Sequence, residues 1–185
     1  MESLNVWESS ILLWIQNNVR VSALDAIMPY ISKVNNAGVL AIATVVVLLL
    51  LKKYRNVGIT ALSSLFVEFI LVNVLLKQLV CRTRPFYVND ALQYLGTLPK
   101  DFSFPSGHTG SAFAVATVML MCMPKKYGVT AIVVAALIAF SRLYNGVHYP
   151  TDVLAALVIG VLTSICAVKV VFPRVNTWLQ KRETE

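Results

Sequence analysis

The sequence predicts an all-α integral membrane helical bundle: five strong spans plus an N-terminal amphipathic or re-entrant segment. Composition is the first reason. Of 185 residues, 57% are hydrophobic and only 14% charged, where a soluble domain carries about a quarter. Patterning is the second. The apolar residues fall in runs too long and continuous for alternating barrel strands. Third, cations gather at the ends of those runs, as in loops kept on the cytoplasmic side of a membrane. So much apolar surface excludes a disordered chain. The length suits one domain, residues 1–185, with five or six spans at about 20 residues each.

Residues 1–36 form the predicted N-terminal segment. Trp7, Ile11, Leu12, Trp14 and Ile15 alternate with Glu8, Gln16, Asn17, Asn18 and Arg20, the pattern of a helix lying in the interface. Ser22 to Val34, with Asp25, Pro29 and Lys33, reads as a second interfacial or re-entrant helix. A tilted sixth span through about 10–32 is the alternative. The transmembrane core, 37–172, contains apolar runs at about 37–51, 57–76, 109–123, 128–141 and 153–172. The short ones extend a turn into their flanks, where lysines can snorkel. Residues 173–185 are the predicted cytoplasmic tail. No cleavable signal is expected after Met1-Glu2-Ser3. Cys81, Cys122 and Cys166 are odd in number and widely spaced, so they read as small buried apolar residues rather than a disulfide framework.

Charge sets a direction. Lys52, Lys53 and Arg55 follow the first run, Lys125 and Lys126 separate the third from the fourth, and Lys169, Arg174, Lys181 and Arg182 close the chain. If each run crosses once, these cations share one side, which is then cytoplasmic. The connections at about 77–107 and 142–152 meet on the outer face. The C-terminus is inside, and the N-terminus is outside with five spans or inside with six. The net charge of +7 is assigned to this anchoring and to a site for anionic groups, not to nucleic acid.

Those two outer connections hold both histidines of the chain. His148 and Asp152 flank Pro150, which suits the first turn of a helix. Asp152 can then reach back to the His148 ring, fixing its tautomer and freeing the other nitrogen for attack or proton transfer. A structural hydrogen bond is the alternative. In Pro105-Ser106-Gly107-His108, Ser106 can cap the following helix and Gly107 permits close backbone approach. That helix start offers N–H groups to an anion. Lys77, Arg84 and Arg142 are either snorkelling anchors or phosphoryl ligands. Anchors favour the cytoplasmic side, and these three lie on the other.

Three segments carry these residues: Lys77-(six residues)-Arg84-Pro85, Pro105-Ser106-Gly107-His108, and Ser141-Arg142-(five residues)-His148-(three residues)-Asp152. In order and spacing they resemble the signature of the type 2 phosphatidic acid phosphatase superfamily, which includes vanadium haloperoxidases and glucose-6-phosphatase. The flanking helices look like those of its small bacterial membrane members. The resemblance implies a lipid phosphatase. In it His148 would be the nucleophile forming a phosphohistidine, and Asp152 would orient it. His108 would protonate the leaving oxygen and then help activate water. Lys77, Arg84, Ser106, Gly107 and Arg142 would hold the phosphoryl oxygens. Such chemistry rests on positioning and charge stabilisation.

No cofactor and no metal are expected, because Asp152 is the only carboxylate firmly placed in the cluster; Asp90 and Asp101 read as solvated loop residues. Glu68 lies half a turn out of phase with Lys77, and more than two turns deeper, which favours a structural role. Asn73 shares the Lys77 face. Phe86, Tyr87, Tyr94, Phe102 and Phe104 are interface anchors or line a lipid-tail entry. The expected partners are the bilayer and a lipid phosphate, with no obligate protein partner. Undecaprenyl diphosphate leads, followed by phosphatidate and phosphatidylglycerol phosphate. The rival readings are a haloperoxidase, whose known examples are soluble and much longer, and a non-enzymatic lipid-phosphate binding or transport protein.

Overall fold

A computed structural model describes residues 2–184. Met1 and Glu185, the outer ends of the predicted N-terminal segment and tail, lie outside the described residues, as does the side chain of Arg182. Every regular element described is helical. Helix α1 is Glu2–Asn18, α2 Ser22–Val34, α3 Val39–Leu50 and α4 Arg55–Phe69. A π-helical segment, Ile70–Leu76, continues α4 into α5, Lys77–Val80. Then come α6 (Pro85–Val88), α7 (Gly107–Cys122), α8 (Lys125–Tyr144) and α9 (Pro150–Thr184).

Each of the five apolar runs is helical, but five strong spans are not shown. Three helical stretches are long and apolar enough to cross a bilayer: Lys52–Val88, Lys125–Tyr144 and Pro150–Leu179. Counting Ser22–Val34 and Asn36–Leu50, bent by 40°, as one broken span makes four. Helix α7 has 16 residues, about 24 Å at 1.5 Å per residue, short of a hydrocarbon core of about 30 Å. Thr109 to Val118 are all buried. Over that stretch the apolar character of α7 answers to protein neighbours, while Leu120 and Met121 in its last turn are exposed.

The N-terminal segment is two helices with Ser22–Val34 as the second, as expected, and the alternative of one tilted span is not met. Extended backbone at Val21 (φ −141°, ψ 150°) separates α1 from α2, so no continuous helix runs through 10–32. On α1, Trp7 and Trp14 are exposed while Leu12 and Ile15 are packed inside. Glu8, expected on a solvated face, is fully buried. The Tyr144 hydroxyl at the end of α8 fastens this region, accepting from Val21 N at 3.2 Å and donating to Asp25 Oδ1 at 2.7 Å. The cysteines are free, but Cys81 and Cys166 are exposed and Cys122 half-buried, so burial is not their common role.

Helix α7 is the axle of the bundle, packed by α4, α8 and α9. Between helices in lipid, close packing and polar contacts replace the hydrophobic drive. Both occur here. A Cβ at Gly160 of α9 would stand 2.7 Å from the Gly110 carbonyl oxygen, so only glycine permits this approach. Ser164 Oγ donates to the Ala114 carbonyl at 2.8 Å, and Ser64 meets Thr163 at 3.2 Å. Asn35, at the α2–α3 break, donates to the His108 carbonyl at 2.9 Å and to Ser111 Oγ at 3.0 Å. The bend is thereby tied to the first turn of α7.

Candidate active site

The connections 81–106 and 145–149 converge at one end of the bundle. Ser106 N donates to the Asp152 carbonyl at 3.1 Å, and Ser103 N to the Arg82 carbonyl at 2.8 Å. The starts of α7 and α9 are thus fixed to each other and to the α5–α6 connection. Lys77, Arg84, Gly107, His108, Arg142 and His148 all line one cavity of about 650 Å³. Ser106 and Asp152 are fully buried behind it.

Arg84 takes the extended backbone favoured before proline (φ −74°, ψ 153°), with Pro85 opening α6. Its Nη1 donates to the Val147 carbonyl at 2.7 Å and lies 3.2 Å from His148 Nε2. Its Nη2 donates to Asp101 Oδ1 at 2.7 Å. Asp101 also accepts from Lys77. Asp101 is therefore not a freely solvated loop residue. It bridges two of the predicted phosphoryl ligands, although its side chain remains 52% exposed. Burial raises the affinity of Asp101 for a proton, but the Lys77 and Arg84 charges outweigh that and hold it below the usual carboxylate range. Arg142 donates to Ser32 Oγ on α2, and its Nε has no partner among the described residues.

His148 and Asp152 meet as their spacing predicts. Nδ1 lies 3.4 Å from Asp152 Oδ2, and Asp152 sits in the first turn of α9. With the proton on Nδ1, the Nε2 lone pair faces Arg84 and the cavity. Burial, followed by the Arg84, Arg142 and Lys77 charges, holds His148 well below the ordinary histidine value of 6.5, with Asp101 opposing. The ring is neutral at pH 7, the form that can attack.

Ser106 precedes α7 as expected but makes no side-chain cap bond; its hydroxyl accepts from Thr109 Oγ1 at 3.1 Å. Gly107 is where predicted, and a Cβ there would stand 2.8 Å from Asn73 Oδ1. Asn73 thus packs on the start of α7, with no bond to Lys77 among those described. An α-helical phase count sets Glu68 apart from Lys77, and the structure differs. The wider π-helical winding of Ile70–Leu76 turns less per residue, and Glu68 joins Lys77 on the cavity wall. Both of its oxygens are buried without a hydrogen-bond partner among the described residues. None of Phe86, Tyr87, Tyr94, Phe102 and Phe104 lines the cavity. Apolar lining comes instead from Ile42, Leu62, Leu65, Phe66 and Phe69 of α3 and α4.

Sequence reasoning gave no role to Arg82 or Ser103. Arg82 Nη1 donates to Asp152 Oδ1 at 2.7 Å, and Ser103 Oγ to Asp152 Oδ2 at 2.5 Å. Among the described residues no three His, Cys, Asp or Glu side chains converge as a metal site requires. The cavity lining combines cations, histidines and a helix start, groups suited to a phosphoryl group, with the carboxyl groups of Glu68 and Asp101.

The model of the PAP2 superfamily matches residues 56–176. The chain belongs to the PAP2 superfamily. It is a multi-pass membrane lipid phosphatase of that group, with the three signature segments, residues 77–152, inside the match. Undecaprenyl-diphosphatase from Sulfolobus acidocaldarius is 32% identical over 83% of this chain and 74% of its own. Undecaprenyl-diphosphatase BcrC from Bacillus subtilis is 31% identical over 76% and 72%. The crystal structure of the PAP2-type phosphatidylglycerolphosphate phosphatase of Bacillus subtilis superposes with a TM-score of 0.70 at 26% identity. That match covers 90% of this chain and 83% of the other.

Proposed function

We propose that this PAP2 phosphatase hydrolyses undecaprenyl diphosphate by way of a phosphohistidine on His148. The observation that carries the reading is the two-natured cavity. Lys77, Arg84, Arg142 and both histidines line it, and so do Leu62, Phe66 and Phe69, about two to four helical turns before Lys77. A diphosphate head and an isoprenoid tail match those two sets of residues. Undecaprenyl-diphosphatase relatives that span most of this chain support the same substrate.

In the first step the His148 Nε2 lone pair forms a bond to the terminal phosphorus, and the bridging P–O bond breaks. His108 gives its proton to the leaving lipid phosphate. In the second step His108 takes a proton from water, the new O–P bond forms, and the N–P bond breaks to release inorganic phosphate. Lys77, Arg84 and Arg142 offset the charge on the phosphoryl oxygens, and Asp152 supports the imidazolium. No step calls on a metal or cofactor. The site faces the outer, extracytoplasmic side of the cell membrane, an orientation supported by the cations at the opposite loops.

A second reading, hydrolysis of phosphatidylglycerol phosphate, is favoured by the Bacillus subtilis phosphatase structure. Phosphate release by purified protein in detergent with EDTA present decides among these. Undecaprenyl diphosphate, phosphatidate, phosphatidylglycerol phosphate and a water-soluble ester are compared, each with the His148→Ala variant. Release is expected to survive EDTA, to vanish in the variant and to be fastest with undecaprenyl diphosphate. Substrate bound without phosphate release would instead mark a binding or transport protein.

A further inference from the structure

Behind His148 the buried charges do not stop at Asp152. Arg82 Nη1 donates to Asp152 Oδ1 at 2.7 Å and to Thr151 Oγ1 at 2.7 Å. Its Nη2 donates to Glu8 Oε2 at 2.5 Å and to Asn5 Oδ1 at 2.6 Å. Its guanidinium carbon lies 3.8 Å from the centroid of the Tyr149 ring. Glu8 also accepts from Thr151 N at 2.6 Å, so one carboxylate of α1 holds both Arg82 and the first turn of α9. Glu8 and Asp152 are fully buried and Arg82 nearly so. Glu8, Arg82 and Asp152 thus form a row of alternating charge that ends on the His148 ring.

Arg82 does not line the cavity and cannot touch substrate. Its bond to Oδ1 leaves Asp152 Oδ2 for Ser103, Tyr149 N and His148 Nδ1. A carboxylate lacking that partner would be free to turn, carrying the imidazole with it. We propose that Arg82 is a positioning residue for the His148–Asp152 pair and that Glu8 sets Arg82, making α1 a working part of the active site. This rests on the phosphatase reading and extends it to a helix outside the signature.

Charge logic separates this role from a merely structural one. His148 is faced by Asp152 from α9, Arg84 and Asp101 from the connection, Lys77 from α5, Arg142 from α8 and His108 from α7. With those constant, losing the Arg82 cation leaves the Asp152 charge less opposed, and His148 holds a proton to higher pH. Losing the Glu8 anion acts in the opposite sense. The test measures kcat, KM and the pH dependence of kcat/KM on undecaprenyl diphosphate for the full chain. Variants are Arg82→Gln, Arg82→Lys, Glu8→Gln and the double Glu8→Gln/Arg82→Gln, with His148→Ala as control.

Arg82→Gln is expected to lower kcat roughly 10- to 100-fold, with KM within about twofold because no substrate contact is lost. Its acid limb should move to higher pH and that of Glu8→Gln to lower pH. Arg82→Lys should keep the limb in place while kcat still falls, since a point charge loses the forked geometry. The double variant should fall no further than Arg82→Gln alone. Should Arg82→Gln fail to fold, Glu8→Gln and Arg82→Lys carry the same decision. Folded variants with kcat within twofold of wild type, or limbs displaced in one common direction, overturn the proposal. If the wild type releases no phosphate, the phosphatase reading fails and this inference with it; release lost only in His148→Ala refutes the inference alone.

Discussion

His148 carries the clearest consequence at the scale of single residues. Its proton affinity is lowered by burial and by three neighbouring cations. If His148 is the nucleophile proposed above, protonation removes the attacking lone pair, so activity is lost as pH falls through the folded-state value. Because that value is lowered, the acid limb of kcat/KM, which reports the free enzyme, should lie below the ordinary histidine value of about 6.5. A limb at pH 7 or above would contradict it. Asp101 bears on substrate entry. Its carboxylate bridges Lys77 and Arg84, where a phosphoryl oxygen would bind, and its lowered pKa keeps it charged at acid pH. Asp101→Asn should therefore strengthen inhibition by inorganic phosphate several-fold, read as a fall in its inhibition constant; weaker inhibition would assign Asp101 to ligand support. The signature residues were legible because each segment keeps its partners close, as His148 and Asp152 do at four apart. Arg82 and Glu8 were not, because they are 74 positions apart and neither has a local pattern to mark it.

At the scale of elements, helix existence and the start of α9 at Pro150 were legible from apolar runs and turn chemistry. Whether a run crosses the bilayer was not, because burial in protein and burial in lipid favour the same residues. Helix α7 shows this, with Ala112, Phe113 and Val118 enclosed by neighbouring helices. The π-helical stretch Ile70–Leu76 has no periodic signal of its own, and it separates Glu68 from Lys77 on the wall of one cavity. The α7–α9 contact depends on a missing side chain. Gly160→Ala places a methyl group against the Gly110 carbonyl and should cost about 1–3 kcal/mol by overpacking. It should also lower kcat by shifting the α7 turn that carries His108. Thermal unfolding in detergent with paired kinetics checks this; an unchanged midpoint would mean the two helices separate without cost.

The whole molecule combines two solvents in one binding site. Composition made the membrane class legible, and the signature made the cationic lining of the cavity legible. The apolar lining was not, because it is assembled from α3 and α4 residues with no motif to distinguish them from lipid-facing neighbours. The aromatic side chains of the outer loop drew attention in the sequence, yet they stand outside the cavity, which that loop lines through Leu95 to Asp101. Ile42, Leu62, Phe66 and Phe69 belong to that apolar lining and are also exposed on the surface. A tail can therefore enter sideways, from the same phase in which the protein is dissolved. Detergent occupies that phase as well. Turnover in micelles will accordingly follow the mole fraction of lipid among detergent molecules rather than its bulk concentration, and adding detergent at fixed substrate dilutes the reaction in two dimensions.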